Sequence, residues 1–133
     1  MGAEYTDNNV TRQKAMQFAI RIYKLCKYLI DEKREIILAK QILKSGTSIG
    51  ANLAEAKCAI SDNDYLAKVY ISYKECSETL FWLDLFKNID LIKQDWVDSI
   101  KSDGEEMIRL LASTIKSTKS KMDKNKKNEK EPL

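Results

Sequence analysis

The sequence predicts an all-α protein that folds as an antiparallel up-down-up-down four-helix bundle. Its 133 residues include one proline and four glycines, so few residues interrupt helical segments. Apolar residues recur at steps of three and four along most of the chain, which is the spacing of one helix face. The connections between the periodic segments are short, and short connections favour antiparallel neighbouring helices.

Four helices are predicted in chain order. The first begins at about Asn9, and its apolar stripe extends to Ile30. The others run from Glu32–Glu35 to about Ala59, from about Ser61 to about Lys87, and from about Lys93 to about Met122. Ser61, with an acid at Asp64, has the pattern of a helix N-cap. The stripe of the third helix is expected to include Ile71.

Composition predicts one domain with a short segment on either side. Residues 1–8 are expected to be a flexible N-terminus, residues 9–122 the bundle, and residues 123–133 a disordered lysine-rich tail. Apolar residues make up 44% of the chain, enough to bury a core without metal or disulfide bonds. No apolar run approaches the roughly 18 residues of a membrane span, and no secretory leader is recognisable. We therefore expect a cytoplasmic protein with no membrane partner.

The net charge of +3 is spread unevenly. Residues 1–60 carry +4, residues 61–115 carry −5 and residues 116–133 carry +4. Such asymmetry arises either from docking between oppositely charged faces or from binding an anionic polymer such as RNA or DNA. The candidate phosphate-binding residues are all on the first helix: Arg12, Lys14, Arg21, Lys24 and Lys27. An ordinary solvated face is the alternative.

Residues 45–56 are the most unusual segment, because two glycines interrupt a helical pattern at a cost of about 1 kcal/mol each. A second face made only of small side chains lies beside the apolar stripe: Thr47, Gly50, Ala51 and Ala54. Gly46 and Gly50 also have the GxxxG spacing. This face predicts close approach of another backbone, either a helix of the same chain or a second subunit. Ser48, Asn52 and Glu55 form a polar strip with expected structural roles.

Two aromatic residues of the third helix, Trp82 and Phe86, lie four residues apart. They are candidates for anchoring a subunit interface, with a broad core stripe as the alternative.

No catalytic or metal-binding pattern is present in the sequence. It contains no histidine, and its three cysteines, Cys26, Cys58 and Cys76, form no CxxC motif. Walker and dinucleotide-binding loops are also absent. We therefore predict a protein that is not an enzyme and that uses no metal or cofactor.

The second predicted helix resembles a bacterial four-helix-bundle family first noticed as proteins encoded within intervening sequences of 23S rRNA genes. The most specific match is Ser48-Ile49-Gly50-Ala51-Asn52-Leu53-Ala54-Glu55. Weaker similarity covers residues 19–25 and 80–91, and the resemblance spans about residues 10–118. The chain departs from the common pattern at Leu43-Lys44, where the family usually has two arginines, and after Glu55, where many members continue with glycine and a basic cluster.

The resemblance implies a bundle that assembles into a homopentamer. Relatives include the accessory subunit of diversity-generating retroelements, a basic pentamer that binds nucleic acid and a reverse transcriptase. Two functions remain open: an oligomeric accessory factor associated with nucleic acid, or a scaffold that binds only proteins. The possible partners are therefore further copies of the chain, RNA or DNA, and a reverse transcriptase or another protein.

Overall fold

Four α-helices form the part of the chain that the computed structural model describes, residues 9–130, with side chains described through residue 128. They are α1 (Asn9–Asp31), α2 (Ile36–Lys57), α3 (Asp62–Asn88) and α4 (Gln94–Lys130). Each helix packs against the next, and α4 returns to pack against α1. The predicted antiparallel four-helix bundle is confirmed, and residues 9–130 contain no strand. The predicted flexible segment 1–8 lies outside the described residues.

One stripe from each helix forms the core along the bundle axis. The largest fully buried side chains are Phe18, Phe86, Ile22, Leu25, Leu29, Ile42, Ile49, Leu83, Ile100, Met107, Leu111 and Val69. Each contributes roughly 1.5–3 kcal/mol by leaving water. Every buried side-chain nitrogen or oxygen in the described region has a hydrogen-bond partner. The interior of the bundle is therefore mainly apolar, and the buried polar side-chain atoms of the described region are all hydrogen-bonded.

A seam of small polar side chains joins α2 to α3. Thr79 Oγ1 lies 2.8 Å from Ser45 Oγ, and the Ser72 hydroxyl donates to the Ile49 carbonyl at 2.8 Å. Because Ser72 faces the core, its neighbour Ile71 is turned outward and is 38% exposed. The prediction that Ile71 lies in the core is therefore wrong, since hydroxyl side chains take part of the buried stripe of α3.

The turns are shaped by local hydrogen bonds. The Asp64 N–H donates to the Ser61 hydroxyl at 3.0 Å, so Ser61 caps α3 as the sequence predicts. The Glu35 N–H donates to the Leu29 carbonyl at 2.9 Å and closes the turn between α1 and α2. Arg34 in this turn and Asp90 in the turn between α3 and α4 have φ angles of 57° and 52°, so both turns pass through the left-handed region.

The last helix is longer than predicted. It continues to Lys130, whereas the sequence predicts an end at about Met122 followed by a disordered tail. Lysine and glutamate are good helix formers, and no proline occurs before Pro132. Side chains 123–128 are all exposed, so this extension has no packing partner in the described chain.

Ion pairs connect α4 to both of its neighbours. On the α3 side, Lys87 pairs with Asp98 at 2.8 Å, and Lys101 pairs with Asp84 at 2.6 Å. The hydrogen bond with Asp84 raises the pKa of Lys101. Among the described residues α1 and α2 share no such pair, so their contact depends on packing.

Candidate interaction surfaces

The basic side chains predicted to bind phosphate on α1 do not form a free patch. Lys14 Nζ lies 3.0 Å from Glu106 Oε1, and Arg21 Nη1 lies 2.7 Å from Asp103 Oδ2. Arg21 also donates to the hydroxyl of Ser99 at 3.1 Å. The carboxylates of α4 therefore balance the two cations at the centre of the predicted set.

The remaining three candidates of that set lie at different places on α1. Lys27 pairs with Asp31 at 3.6 Å within the helix, and Arg12 donates to the Asn9 side chain at 3.3 Å. Lys24 is exposed and has no partner among the described side chains. The five candidates therefore do not form one free cationic surface, because acids of α4 lie against Lys14 and Arg21. Phosphate binding by these residues stays a prediction.

The two glycines of α2 mark its close approach to α1. A Cβ atom on Gly46 would lie 2.9 Å from Ile22 Cγ2, which is shorter than any ordinary contact. A Cβ on Gly50 would lie 3.6 Å from Ala15 Cβ, which is ordinary van der Waals distance. The contact at Gly46 is thus made within the chain, and of these two glycines only Gly46 is required for steric reasons.

The other small residues of α2 point outward. Thr47, Ala51 and Ala54 are exposed, because each is displaced by roughly 60–120° around the helix from the glycines that face α1. Thr47 Oγ1 donates to the Leu43 carbonyl of its own helix at 2.7 Å. The face predicted from sequence therefore divides into a packed glycine side and an exposed side.

The polar strip of α2 has mainly local partners. Ser48 Oγ donates to the Lys44 carbonyl at 2.6 Å, and Asn52 Nδ2 donates to the Ser48 carbonyl at 2.8 Å. Glu55 instead pairs with Lys68 of α3 at 3.1 Å. These three side chains are all engaged in contacts within the chain.

An exposed apolar surface covers the outer side of α1 and the start of α2; we call it the apolar face. Its members are Met16, Ile20, Tyr23 and Ile30 of α1 with Ile36 and Ile37 of α2, exposed by 63, 46, 56, 36, 48 and 74%. The α1 members are four, three and seven residues apart, which is coiled-coil spacing. This face was not predicted from the sequence, which placed Ile30 in the core stripe of α1.

The apolar face and the exposed small residues of α2 lie side by side. Lys14 and Arg21 turn toward α4, and on a helical wheel Met16, Tyr23 and Ile30 fall on the opposite side of α1, toward α2. Thr47, Ala51 and Ala54 follow the α2 side that adjoins α1 and therefore extend the apolar face.

The aromatic residues of α3 differ in burial. Phe86 is fully buried, so its predicted role as an interface anchor is wrong and the core alternative holds. Trp82 is half-buried, and its indole N–H donates to Glu78 at 3.1 Å. Its ring meets Phe81 edge-on at 5.1 Å, and Phe81 is 59% exposed. Phe81 and Trp82 therefore form a small aromatic patch on the surface.

A second feature that sequence reasoning missed is a groove between α3 and α4, which we call the Tyr–Lys groove. It has a volume of about 370 Å³ and is lined by Tyr70, Tyr73, Ala112, Ile115, Lys116 and Lys119. The Lys119 ammonium lies 5.1 Å from the centre of the Tyr70 ring, a cation–π contact. The tyrosines and lysines are 43 to 49 residues apart in sequence, so only the pairing of α3 with α4 brings them together.

The three thiols divide by burial. Cys26 and Cys76 are buried, whereas Cys58 at the end of α2 is exposed. Burial raises the pKa of Cys26 to about 11 and that of Cys76 to about 12. Within the described region no three histidine, cysteine, aspartate or glutamate residues group closely enough to hold a metal ion. The same residues include no helix that is long and apolar enough to span a bilayer.

A family model described as "23S rRNA-intervening sequence protein" matches residues 7–113. The chain belongs to this family. The match covers α1, α2, α3 and the first part of α4.

A solved structure is similar to most of this chain. A protein from Bacteroides thetaiotaomicron, described as a protein with unknown function from the S23 ribosomal protein family, is 43% identical with a TM-score of 0.79. The similarity covers 80% of this chain and 98% of that chain. A comparison with curated proteins finds no match. Neither description names an enzymatic activity.

Proposed function

We propose that the protein is a non-enzymatic homo-oligomer, a pentamer as the family resemblance implies, that acts as an accessory factor associated with nucleic acid. The observation that carries the proposal is the apolar face. Six of the eleven large apolar side chains that are exposed in the described chain belong to it. Monomeric soluble proteins rarely expose apolar side chains in such a concentrated group.

The size of this surface suits a subunit interface. Helix α1 has 23 residues and is therefore about 35 Å long. Two packed helices are about 20 Å wide, so the whole outer side of α1 and α2, of which the apolar face is part, measures on the order of 700 Å². Stable interfaces bury about 800 Å² on each partner. A second copy is the favoured occupant because the coiled-coil spacing of Met16, Ile20 and Tyr23 is suited to packing against another helix.

The association with nucleic acid is supported by the second half of α4. Arg109, Lys116 and Lys119 are exposed and have no ion-pair partner among the described side chains. Further exposed lysines follow at Lys124, Lys126 and Lys127. An oligomer would present this basic segment several times, and repeated weak phosphate contacts add up to useful avidity.

Sedimentation velocity at micromolar concentration tests the assembly. We expect the wild-type chain to sediment at about 77 kDa, five times the 15.3 kDa of one chain. Ile20→Glu should give monomers, because a carboxylate at the centre of the apolar face loses its water on association. Ile71→Glu is the matched control, since Ile71 is an exposed isoleucine of α3, and this variant should remain oligomeric. A monomeric wild-type chain contradicts the proposal, and a different stoichiometry contradicts the pentamer alone.

A protein scaffold without a nucleic-acid role is the second candidate function. It is favoured by the patch of Phe81 and Trp82, since exposed aromatic residues frequently anchor protein partners. Fluorescence anisotropy with labelled RNA and DNA at about 50 mM salt separates the two candidates, because phosphate contacts are strongest at low salt. Absence of binding would leave the scaffold as the function.

A further inference from the structure

We propose that the Tyr–Lys groove binds single-stranded nucleic acid, with bases against Tyr70 and Tyr73 and phosphates against Lys116 and Lys119. The inference rests on the proposed association with nucleic acid and assigns it a site and a form of the ligand. In this proposal the Tyr–Lys groove binds the nucleic acid in place of the α1 residues that the sequence predicts.

The first support is the charge of the groove. No carboxylate lines it, whereas two other surface grooves contain acids. The groove between α1 and α4 includes Asp103 and Glu106, and the groove at the end of α2 includes Glu55 and Asp64. Arg109 extends the basic side, because Arg109, Ala112, Lys116 and Lys119 follow one another at steps of three and four on α4. An anion therefore meets only positive charge here.

The second support is the aromatic floor. Tyr70 and Tyr73 are half-buried, so their ring positions are held by the bundle while part of each ring faces the groove. The Lys119 ammonium lies over the Tyr70 ring, so this ring face is turned toward the groove, and the flexible lysine side chain moves aside when a base stacks there. Bases stack on such rings with little sequence preference, and the adjacent lysines are within reach of the connecting phosphates.

The shape of the groove selects single strands. The rings lie between two helices, and a base reaches them only when it has left its own stack. Duplex bases are stacked and paired, so a duplex can contact the lysines but not the rings. The volume of about 370 Å³ lies within the range of sites that hold small planar ligands.

The position of the groove is compatible with assembly. Each helix packs on its neighbours in chain order, so the α3–α4 side lies across the bundle from the α1–α2 side. The apolar face itself therefore does not include the groove.

Anisotropy with fluorescein-labelled 20-nucleotide oligo(U), oligo(dT) and a mixed-sequence 20-base-pair DNA duplex tests the inference on the full chain. We expect at least about tenfold tighter binding of the single strands than of the duplex, because only unstacked bases reach the rings. K116Q/K119Q should weaken binding at least about tenfold and reduce the salt slope by about 1.4, at roughly 0.7 for each lost phosphate contact. Oligo(U) and oligo(dT) differ in the 2′-hydroxyl, so their comparison distinguishes RNA from DNA as the ligand.

Further variants test whether the tyrosine rings contribute to binding and whether the loss in K116Q/K119Q is specific to this groove. Tyr70→Leu keeps an apolar side chain and should weaken single-strand binding about tenfold without changing the salt slope, whereas Tyr70→Phe should bind as the wild type does. K24Q/K33Q removes the same charge from exposed lysines elsewhere and should have little effect. Circular dichroism establishes that every variant is folded.

The outcomes separate this inference from the proposed function. Equal binding of duplex and single strands, an unchanged Tyr70→Leu variant, or an equal loss in K24Q/K33Q overturns the Tyr–Lys groove but keeps the association with nucleic acid. No binding of any probe by the wild-type chain at about 50 mM salt overturns both.

Discussion

At the scale of single residues, side chains of one type serve different purposes according to their surroundings. Lys14 and Lys24 are both on α1, yet Lys14 pairs with Glu106 while Lys24 faces solvent. Cys58 and Cys76 differ in the same way, since one is exposed and the other is buried against the Gly104 carbonyl at 3.4 Å. Chemical reactivity therefore follows position in the bundle.

The thiols provide a prediction at this scale. At pH 8 a disulfide reagent should label Cys58 rapidly in the native protein and label Cys26 and Cys76 only on unfolding. The reason is that burial raises the pKa of the two core thiols to about 11 and about 12, so neither forms the reactive thiolate. Native labelling should vanish in Cys58→Ser, and rapid modification of this variant would contradict the prediction.

The same pKa shifts determine the effect of alkali on stability. In the unfolded chain each thiol ionises near its ordinary value of 9.0, whereas in the folded chain it stays protonated to about 11 or 12. The unfolded state therefore loses protons first as the pH rises. The stabilising contribution of the protonated thiols is complete below pH 9 and declines between pH 9 and the folded-state values.

Whether a contact could be predicted from the sequence depends on how far apart its two residues are along the chain. The capping of α3 by Ser61 was predictable, because its partner Asp64 is three residues away. The neutralisation of Arg21 was not, because Asp103 is 82 residues further along the chain. Local hydrogen bonds can be derived from spacing, but an ion pair between helices requires their register.

At the scale of helices, the contact between α1 and α2 depends on close backbone approach. Gly46 meets the branched side chain of Ile22, whose β-carbon is held by its own helix and cannot easily move. The small face of α2 was predicted, but not which of its residues would be covered. That division depends on the rotation of α2 against α1, which residue spacing alone leaves open.

A pair of substitutions tests this contact. Gly46→Ala should destabilise the protein by about 1–3 kcal/mol, because the new methyl group would overlap Ile22. Gly50→Ala should be neutral or stabilise by up to about 1 kcal/mol, because the new methyl group fits against Ala15 and alanine favours the helix. Urea unfolding at one fixed protein concentration measures both, and similar effects of the two changes would refute the assignment.

Helix α4 shows where apolar periodicity stops being a guide to helical structure. The helix was predicted to about Met122, and its apolar periodicity is clear as far as Ile115. From residue 123 the prediction of disorder rested on charge, while the described helix continues to Lys130. This segment is rich in residues that favour helix but has no apolar stripe, so hydrophobic periodicity could not predict where α4 ends.

At the scale of the whole molecule, the bundle has two sides of different character. The α1–α2 side is apolar and lacks ion pairs between its helices in the described region, while the α3–α4 side combines the Tyr–Lys groove with exposed lysines. The fold class was predictable from periodicity and short connections. The two sides were not, because each is made of residues from two helices.

If the apolar face joins subunits, stability must depend on concentration. We expect the melting temperature of the wild-type chain to rise between about 5 and 100 µM, because subunits that bind only folded chains stabilise the folded state by mass action. Ile20→Glu should melt at a lower temperature that does not change with concentration. Scanning calorimetry measures both, and a constant melting temperature for the wild-type chain would argue against assembly.

The charge of α4 changes from negative to positive along its length, and this change affects how the protein approaches a polyanion before the two touch. Its first part carries Asp95, Glu105 and Glu106, whereas basic residues outnumber acidic ones from Arg109 onward. Helix α4 therefore carries a charge dipole along its axis, although the net charge of the chain is only +3. Near a polyanion such a dipole experiences a torque, so the molecule turns its lysine-rich end forward during the encounter. Added salt should slow association by removing this alignment beyond roughly one Debye length, about 10 Å at 0.1 M.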